Sequence, residues 1–286
     1  MDRKTILKKL DRIEDLPTLP VIAVEVNKML QDYNTSIEEL STVIKNDQAM
    51  TPRILKLVNS SFYGFKSKIA NINRAIILLG FNTISNAIVS VAIIDALSIK
   101  GSSCDFDMKD FWEHSVAVAV ISRHLAEKSR LCLPEEAFTG GLLHDIGKLI
   151  LVQHFPDIFN KVIVSAEENN ITFYDAEKRE IPVTHAQLGA IMADKWKLPN
   201  CLIDTIKYHH TVRKGVKDIN LLMTVHLADF IVNFFIHNPD VKLDSALIHP
   251  EAALAMKPQL KTLQDWLPEV REKITSACQF FLGKGR

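Results

Sequence analysis

The sequence predicts an all-α protein on three grounds: apolar residues recur at three- and four-residue spacing almost throughout, alternation with period two is never sustained, and capping residues punctuate the apolar runs. In PVIAVEVNKML, Val21, Val24, Val26, Met29 and Leu30 share one broad helical face, and Pro20 suits a first turn. Ser36 and Glu39 stand at capping-box spacing and open a second helix through Ile44. A third fits PRILKLVNSS, where Pro52 is tolerated only near the start. Asn73 is placed to cap RAIILLG, which Gly80 stops, and TISNAIVSVAIIDAL follows as a fifth.

From Ala75 to Ile94 the chain carries no charge, which raises the question of a membrane span. Asn82, Thr83, Ser85 and Asn86 at its middle favour two buried helices instead. In SIKGSSCDFD, Gly101, Ser102 and Ser103 interrupt the apolar pattern, and a soft domain boundary is expected there. The expected organisation is an N-terminal helical part over 1–100, a multi-helix core over 101–248 and a C-terminal helical extension over 249–286. The core reads as a long helix from about Met108 to Lys128 and another running through EEAFTGGLLHDIGKLILVQHF. Helices in FPDIFNKVIVSAEENN, THAQLGAIMADKWKLP, NCLIDTIKYHH and INLLMTVHLADFIVNFF follow. Beyond His249 the pattern is amphipathic, with Pro250, Pro258 and Pro268 expected to break it.

A chain of 286 residues with 47% hydrophobic and 24% charged residues is of the globular class and can bury a sizeable core. Lys plus Arg and Asp plus Glu both count 34, so there is no electrostatic footprint for nucleic acid. The basic pairs Lys8-Lys9 and Arg213-Lys214 are short enough to be plain solvated surface. Cys104, Cys132, Cys201 and Cys278 lack C-x-x-C spacing, which argues against a disulfide framework or a thiolate zinc site and fits a reducing compartment. MDRKTILKKLDRIEDLP is charged throughout and has no apolar export region, so a cytoplasmic location is expected.

The chemistry gathers around GLLHDIGKLIL. Here His144 and Asp145 stand side by side inside an apolar run, where burial without partners would cost several kcal/mol, roughly. On a helix, Lys148 shares a face with both, so an imidazole, a carboxylate and an ammonium are presented together. A divalent metal would want the first two and a phosphate the third. One such pair cannot fill a coordination shell, so further donors on other helices are expected. His114 in FWEHSVAVAV, His185 after the capping Thr184, His209 and His210 at the end of YHH, and Asp229 in HLADF are the candidates. Together they supply nitrogen and oxygen without sulfur, suited to manganese, iron, nickel or zinc. Each histidine taken alone is more simply a hydrogen-bonded core residue. Mutual hydrogen bonds satisfy such a group as well as a metal does. The joint occurrence in one chain is what favours metal, with His226, one turn before Asp229, as a supporting residue.

HDIGK, with His114 before it and Asp229 after it, resembles the HD superfamily of metal-dependent phosphohydrolases. The upstream stretches LPTLPVIAVEVNKML, VIKNDQAMTPRILKLVNSSFYGF and INRAIILLGFNTISNAIVSVAI resemble the HDOD family, the HD-related output domain of bacterial signalling proteins, over about residues 12 to 235. The resemblance implies that His114, His144, Asp145 and Asp229 form the basic metal set. It implies further that His185, His209 and His210 match histidines that hold a second metal in HD-GYP phosphodiesterases, and that Lys148 approaches a phosphate, with Asp145 and Lys148 closest to any catalysis. HD-GYP enzymes follow the paired histidines with a glutamate and later a Gly-Tyr-Pro segment, whereas Thr211 stands in the glutamate's place and Gly-Tyr-Pro is absent, so cyclic di-GMP hydrolysis is not expected. The family implies a regulatory protein acting through protein partners in a signalling pathway, with one or two divalent metals (Fe, Mn, Zn or Ni) and a nucleotide as a second class of ligand. Neither nucleic acid nor membrane is an expected partner. The segment Asn59 to Phe65 is a candidate partner contact, although its aromatics serve equally well to pack two halves together. The alternative is a metal-dependent phosphohydrolase acting on a nucleotide or phosphodiester.

Overall fold

The computed structural model describes residues 5–6, 18–32, 34–47, 49–60, 65, 67–97, 106–236 and 248–282, and among them every regular element is helical. The first half contains α1 (Val21–Gln31), α2 (Ile37–Asn46), α3 (Met50–Val58), α4 (Ile72–Leu79) and α5 (Phe81–Ala96). The Ser36 hydroxyl accepts from the Glu39 N–H while the Glu39 carboxylate accepts from the Ser36 N–H at 2.7 Å, so α2 opens on a capping box. The buried face of α1 differs from the expected one. Ile22, Ala23, Val26 and Asn27 point inward, while Val21 and Val24 are exposed. The choice of face is tertiary: α1 packs on α5, and the Asn27 amide donates to the Lys197 carbonyl at 3.1 Å in the second half of the chain.

The cap of α4 is Asn71 rather than Asn73. Its side chain accepts from the Asn73 and Arg74 N–H groups at 2.7 and 3.3 Å, and this starts the helix earlier. Asn73 accepts instead from the Ser41 hydroxyl on α2. Gly80, at φ 89, closes α4 and opens α5, and the two helices meet at 114°. That corner folds the uncharged run from Ala75 to Ile94 into two core helices. A helix long and apolar enough to cross a membrane does occur at Ile219–Ile236, with 67% of its span buried within the fold.

The second half runs α6 (Met108–Ser129), α7 (Pro134–Leu143), α8 (Ile146–His154), α9 (Pro156–Asn169), α10 (Phe173–Glu180), α11 (His185–Lys195), α12 (Asn200–Tyr208) and α13 (Ile219–Ile231), which passes into a π-helical turn over Val232–Ile236. The chain then forms α14 (Pro250–Ala255), α15 (Lys257–Lys261) and α16 (Leu263–Phe281). Thr83 on α5 donates to Glu135 on α7 at 3.0 Å, one of the bonds that join the halves.

Three expectations are corrected here. The helix expected to run through GLLHDIGKLIL is two helices, and His144 and Asp145 form the corner between them. The glycines explain it. A Cβ on Gly141 would lie 2.8 Å from the Ala119 Cα, so α7 is flush against α6; one on Gly147 would lie 1.8 Å from the His185 carbonyl oxygen, so α8 is flush against α11. One straight helix cannot meet both. Second, α10 has no counterpart in the reading of the sequence. Thr172 caps it by accepting from the Asp175 N–H at 3.1 Å. Third, Pro268 lies inside α16 instead of breaking it, whereas Pro250 and Pro258 occupy first-turn positions. Burial of Leu263, Leu267, Val270, Ala277 and Phe281 along one stripe outweighs a helical proline's cost of ~3 kcal/mol.

Cys132, Cys201 and Cys278 are free, and burial pushes each thiol up to about 11. Cys104, the Lys8-Lys9 pair, the glycine-serine boundary segment and residues 61–64 lie outside the described residues.

Two outcomes follow for stability. Gly147→Ala would force two backbones apart and is expected to cost ~3 kcal/mol or more in denaturant unfolding, whereas Gly140→Ala meets only side-chain carbons at 3.3 to 3.6 Å and is expected to cost far less. His124 is buried against Trp266 at a ring separation of 4.6 Å, and burial lowers its pKa to about 4. The unfolded chain therefore binds a proton that the folded chain refuses, and stability present above pH 6.5 is lost as pH falls toward 4. His124→Leu should remove that part of the slope, on the order of 2 kcal/mol, in unfolding curves across that window.

Candidate metal centre

Five elements bring the candidate donors to one place. His114 projects from the second turn of α6, and His144 and Asp145 occupy the α7–α8 corner. His185 is the first residue of α11, held there by a capping box in which Thr184 accepts from the Gln187 N–H. His209 and His210 follow the last turn of α12, and Asp229 lies within α13. His144, His185 and His209 are fully buried, Asp145 is 2% exposed, and His114 keeps 23% of its side chain accessible.

Asp145 is the centre. Its Oδ2 lies 3.3 Å from His144 Nε2 and 3.7 Å from His114 Nε2, and it accepts from Lys148 Nζ at 2.5 Å. Its Oδ1 lies 3.0 Å from His185 Nε2 and 3.6 Å from His209 Nε2, without a properly directed hydrogen bond. Asp229 Oδ1 adds contacts of 3.2 Å to His114 and 3.6 Å to His144, and it accepts from the Asn233 amide at 2.8 Å. The donors thus divide into two groups sharing Asp145, one with His114, His144 and Asp229 and one with His185, His209 and His210.

Tautomers decide what the groups can hold. His144 Nδ1 lies 2.7 Å from the Gly141 carbonyl, His209 Nδ1 lies 2.7 Å from the Ile206 carbonyl, and His185 Nδ1 lies 2.6 Å from the Glu177 carboxylate. Each partner only accepts, so each Nδ1 carries a hydrogen and each Nε2 points to the centre, where it can ligate once it holds no proton of its own. Yet His185 Nε2 stands 3.3 Å from His209 Nε2 and 3.1 Å from His210 Nε2, while His114 and His144 face each other at 3.3 Å. Ring nitrogens and carboxylates packed this closely call for positive charge among them. A divalent ion meets that demand with the ligands it prefers, and the buried His/Asp group fits one.

Without an ion, that charge is carried by protons on His144 and His185, whose pKa values, against the cost of burial, the neighbouring carboxylates raise. Burial disfavours a charged His144, but Asp145 and Asp229 outweigh it and raise its pKa to about 10. Asp145 and Asp229 stay ionised against burial because the histidines, and Lys148 for Asp145, hold their pKa values well below the usual range. Burial lowers His209 to about 4 and keeps His210 neutral as well, so both are ready as donors.

The sequence named every one of these donors but missed two residues that orient them. Glu177 on α10 is fully buried and accepts from both the His185 backbone N–H at 2.7 Å and its ring. Its only signal was a glutamate in a short polar stretch. Tyr174, one turn before, stacks on His210 at a ring separation of 4.3 Å. The suspected support from His226 is a specific bond: its Nδ1–H donates to the His209 carbonyl at 2.6 Å.

An all-helical fold with a histidine-aspartate corner at its centre defines an HD-type helical protein. The sequence profile of the HDOD domain matches residues 16–212, and the chain belongs to that family. The crystal structure of an HDOD domain protein of unknown function from Geobacter sulfurreducens superposes with a TM-score of 0.82 at 26% identity over 98% of both chains. A protein of Shewanella amazonensis SB2B, provisionally called a phosphohydrolase, shares the fold with a TM-score of 0.77 at 24% identity over 95% of this chain and 97% of its own. A Treponema pallidum (strain Nichols) protein of uncharacterised function is 27% identical over 226 residues; the match covers 78% of this chain and 43% of that relative, so the chain spans less than half of its length.

Replacing Glu177 by glutamine keeps an acceptor for His185 but removes the charge. It is expected to weaken metal binding by roughly 10- to 100-fold, read by competition against a chelator of known affinity, and to lower the melting temperature of the metal-free protein, because the new amide nitrogen faces one of the two His185 N–H groups that Glu177 accepts from.

Proposed function

We propose that this protein is a regulatory module of a signalling pathway, acting through a protein partner and built around an HD-type centre for one or two divalent ions. The observation that carries this reading is the set of inward Nε2 atoms on histidines oriented by Gly141, Ile206 and Glu177 around a shared, ionised Asp145. Bound there, a divalent ion would supply Lewis acidity toward a phosphoryl oxygen or a water. What the chain itself does around it favours regulation. His144, Asp145, His185 and His209 are buried, and Lys148, the cation best placed to meet a phosphate, is held by Asp145 with its ammonium 5.3 Å from the Phe173 ring. The family's association with signalling output points the same way, while Thr211 and the missing Gly-Tyr-Pro segment weigh against hydrolysis of a cyclic dinucleotide.

A second reading, a metal-dependent phosphohydrolase acting on a nucleotide or phosphodiester, rests on the same Lys148. Its side chain is 23% exposed, and the i,i+3 bond to Asp145 is one that an incoming phosphate can exchange. The naming of the Shewanella neighbour agrees with this reading without deciding it.

Metal analysis by plasma mass spectrometry on protein purified without chelator or nickel resin separates the outcomes. The expected result is about one to two ions per chain, lost in Asp145→Ala, with no turnover of bis(p-nitrophenyl) phosphate, nucleotides or cyclic dinucleotides by the loaded protein. Turnover abolished by Lys148→Ala with metal content intact would establish the second reading. Protein that takes up no manganese, iron, zinc or nickel would overturn both.

A further inference from the structure

A large cavity of about 1490 Å³ lies between the two halves. It is walled by the end of α3 and residues 68–70 on one side, by α6 on another, and by the π-helical turn and α16 on the third. It exceeds the usual range of small-molecule sites, roughly 300 to 1,000 Å³. Of the metal-centre residues it reaches only His114, which keeps 23% of its side chain accessible.

The lining gives the class of ligand. Leu55, Ile69, Ala117, Val232, Ile236 and Ile274 make a wall that offers water few hydrogen bonds, so apolar groups are favoured along it. Among the described lining residues the rings are those of Phe280 and His114 and there is no arginine, so these residues provide no bidentate capture of a phosphate. The cationic groups are lysines. Lys109 is matched by Glu113 at 3.2 Å, whereas Lys56 and Lys68 form no ion pair among the described residues and both belong to the N-terminal rim. The Asp110 carboxylate sits on the α6 wall, so the two unmatched ammonium groups on the N-terminal rim, with the apolar wall beside them, complement a long hydrocarbon chain bearing one anionic head at that rim.

We propose that this cavity is a binding site for a free long-chain carboxylate, with its chain along α6 and α16 and its head at Lys56 and Lys68. The site is separate from the metal reading, and its occupancy does not require a bound ion. It would nevertheless place a ligand against His114, on the boundary between the regulatory half and the metal centre.

The probe is cis-parinaric acid, whose fluorescence rises on transfer from water to an apolar site, titrated into the full chain with and without prior chelation. The expected result is saturable binding near one per chain, unchanged by chelation. It should be weakened about tenfold or more in Lys56→Glu/Lys68→Glu, whose positions are exposed, and likewise by filling the cavity with Ile274→Trp. The methyl ester of the probe should bind at least as weakly as the acid binds the charge-reversed protein. Unsaturable binding, or binding indifferent to both variants, overturns the proposal. Loss of binding on chelation would move the head group to the metal centre and overturn the assignment to the lysines. Cosedimentation with phosphatidylglycerol vesicles in place of binding to the free acid would identify a membrane surface instead, and would also overturn it.

Discussion

The centre depends on how closely α8 approaches α11. At Gly147 the His185 carbonyl occupies the space that any side chain would need, and the Gly189 N–H lies 2.6 Å from the same position. Only at this separation can the residue before α8, Asp145, reach the first residue of α11, His185, at 3.0 Å. Backbone contact sets the geometry here, so its tolerance is small: packed interiors absorb a misplaced methyl only by moving whole helices. The same contact forces the corner at His144 and Asp145. It turns an adjacent pair, which on a straight helix would diverge, into two side chains serving one site.

A second constraint is electrostatic. Two carboxylates buried among imidazoles would be costly anywhere in a core, and the fold keeps them ionised by making every neighbour a donor or a potential cation. Two main-chain carbonyls and one buried glutamate then fix the histidines with their free nitrogens inward. A group satisfied only by internal hydrogen bonds would alternate donors and acceptors across the centre. This one does so only while His144 and His185 carry an extra proton, the charge that a divalent ion would replace.

The legible part of this protein was its chemistry-bearing residues, because histidine and aspartate inside apolar helical periodicity contradict their surroundings. Local signals also served where nothing distant competed: Ser36 with Glu39, Thr184, and Gly80 all act as their spacing suggested. What could not be read was decided by partners far along the chain. Val21 and Val24 look apolar and inward, yet the face of α1 is chosen by α5 and by the Lys197 carbonyl. FYDAEKRE has the composition of a solvated loop, and only the tertiary fold shows that Glu177 is its one inward-facing charge. The corner at His144 was hidden because helical periodicity counts residues and does not record the axis they follow. Glycines in a helical run signal close approach without saying to what.

The profile of the family ends at Val212, yet the centre does not. Asp229 comes from α13, with its carboxylate held by Asn233 in the π-helical turn that follows. That turn leaves carbonyls unpaired by regular helix geometry, and Arg271 on α16 donates to two of them, at Phe235 and Ile236. On the other side, the His249 N–H at the head of α14 contacts His226 Nε2 at 3.4 Å, and His226 in turn holds the His209 carbonyl. The C-terminal helices therefore brace both groups of donors, one through Arg271 and one through His226. A domain whose sequence signature stops before its last acidic donor still needs these residues to position that donor. Movement of α16 would reach the Asp229 side of the centre through Arg271, and movement of α14 would reach the His209 side through His226.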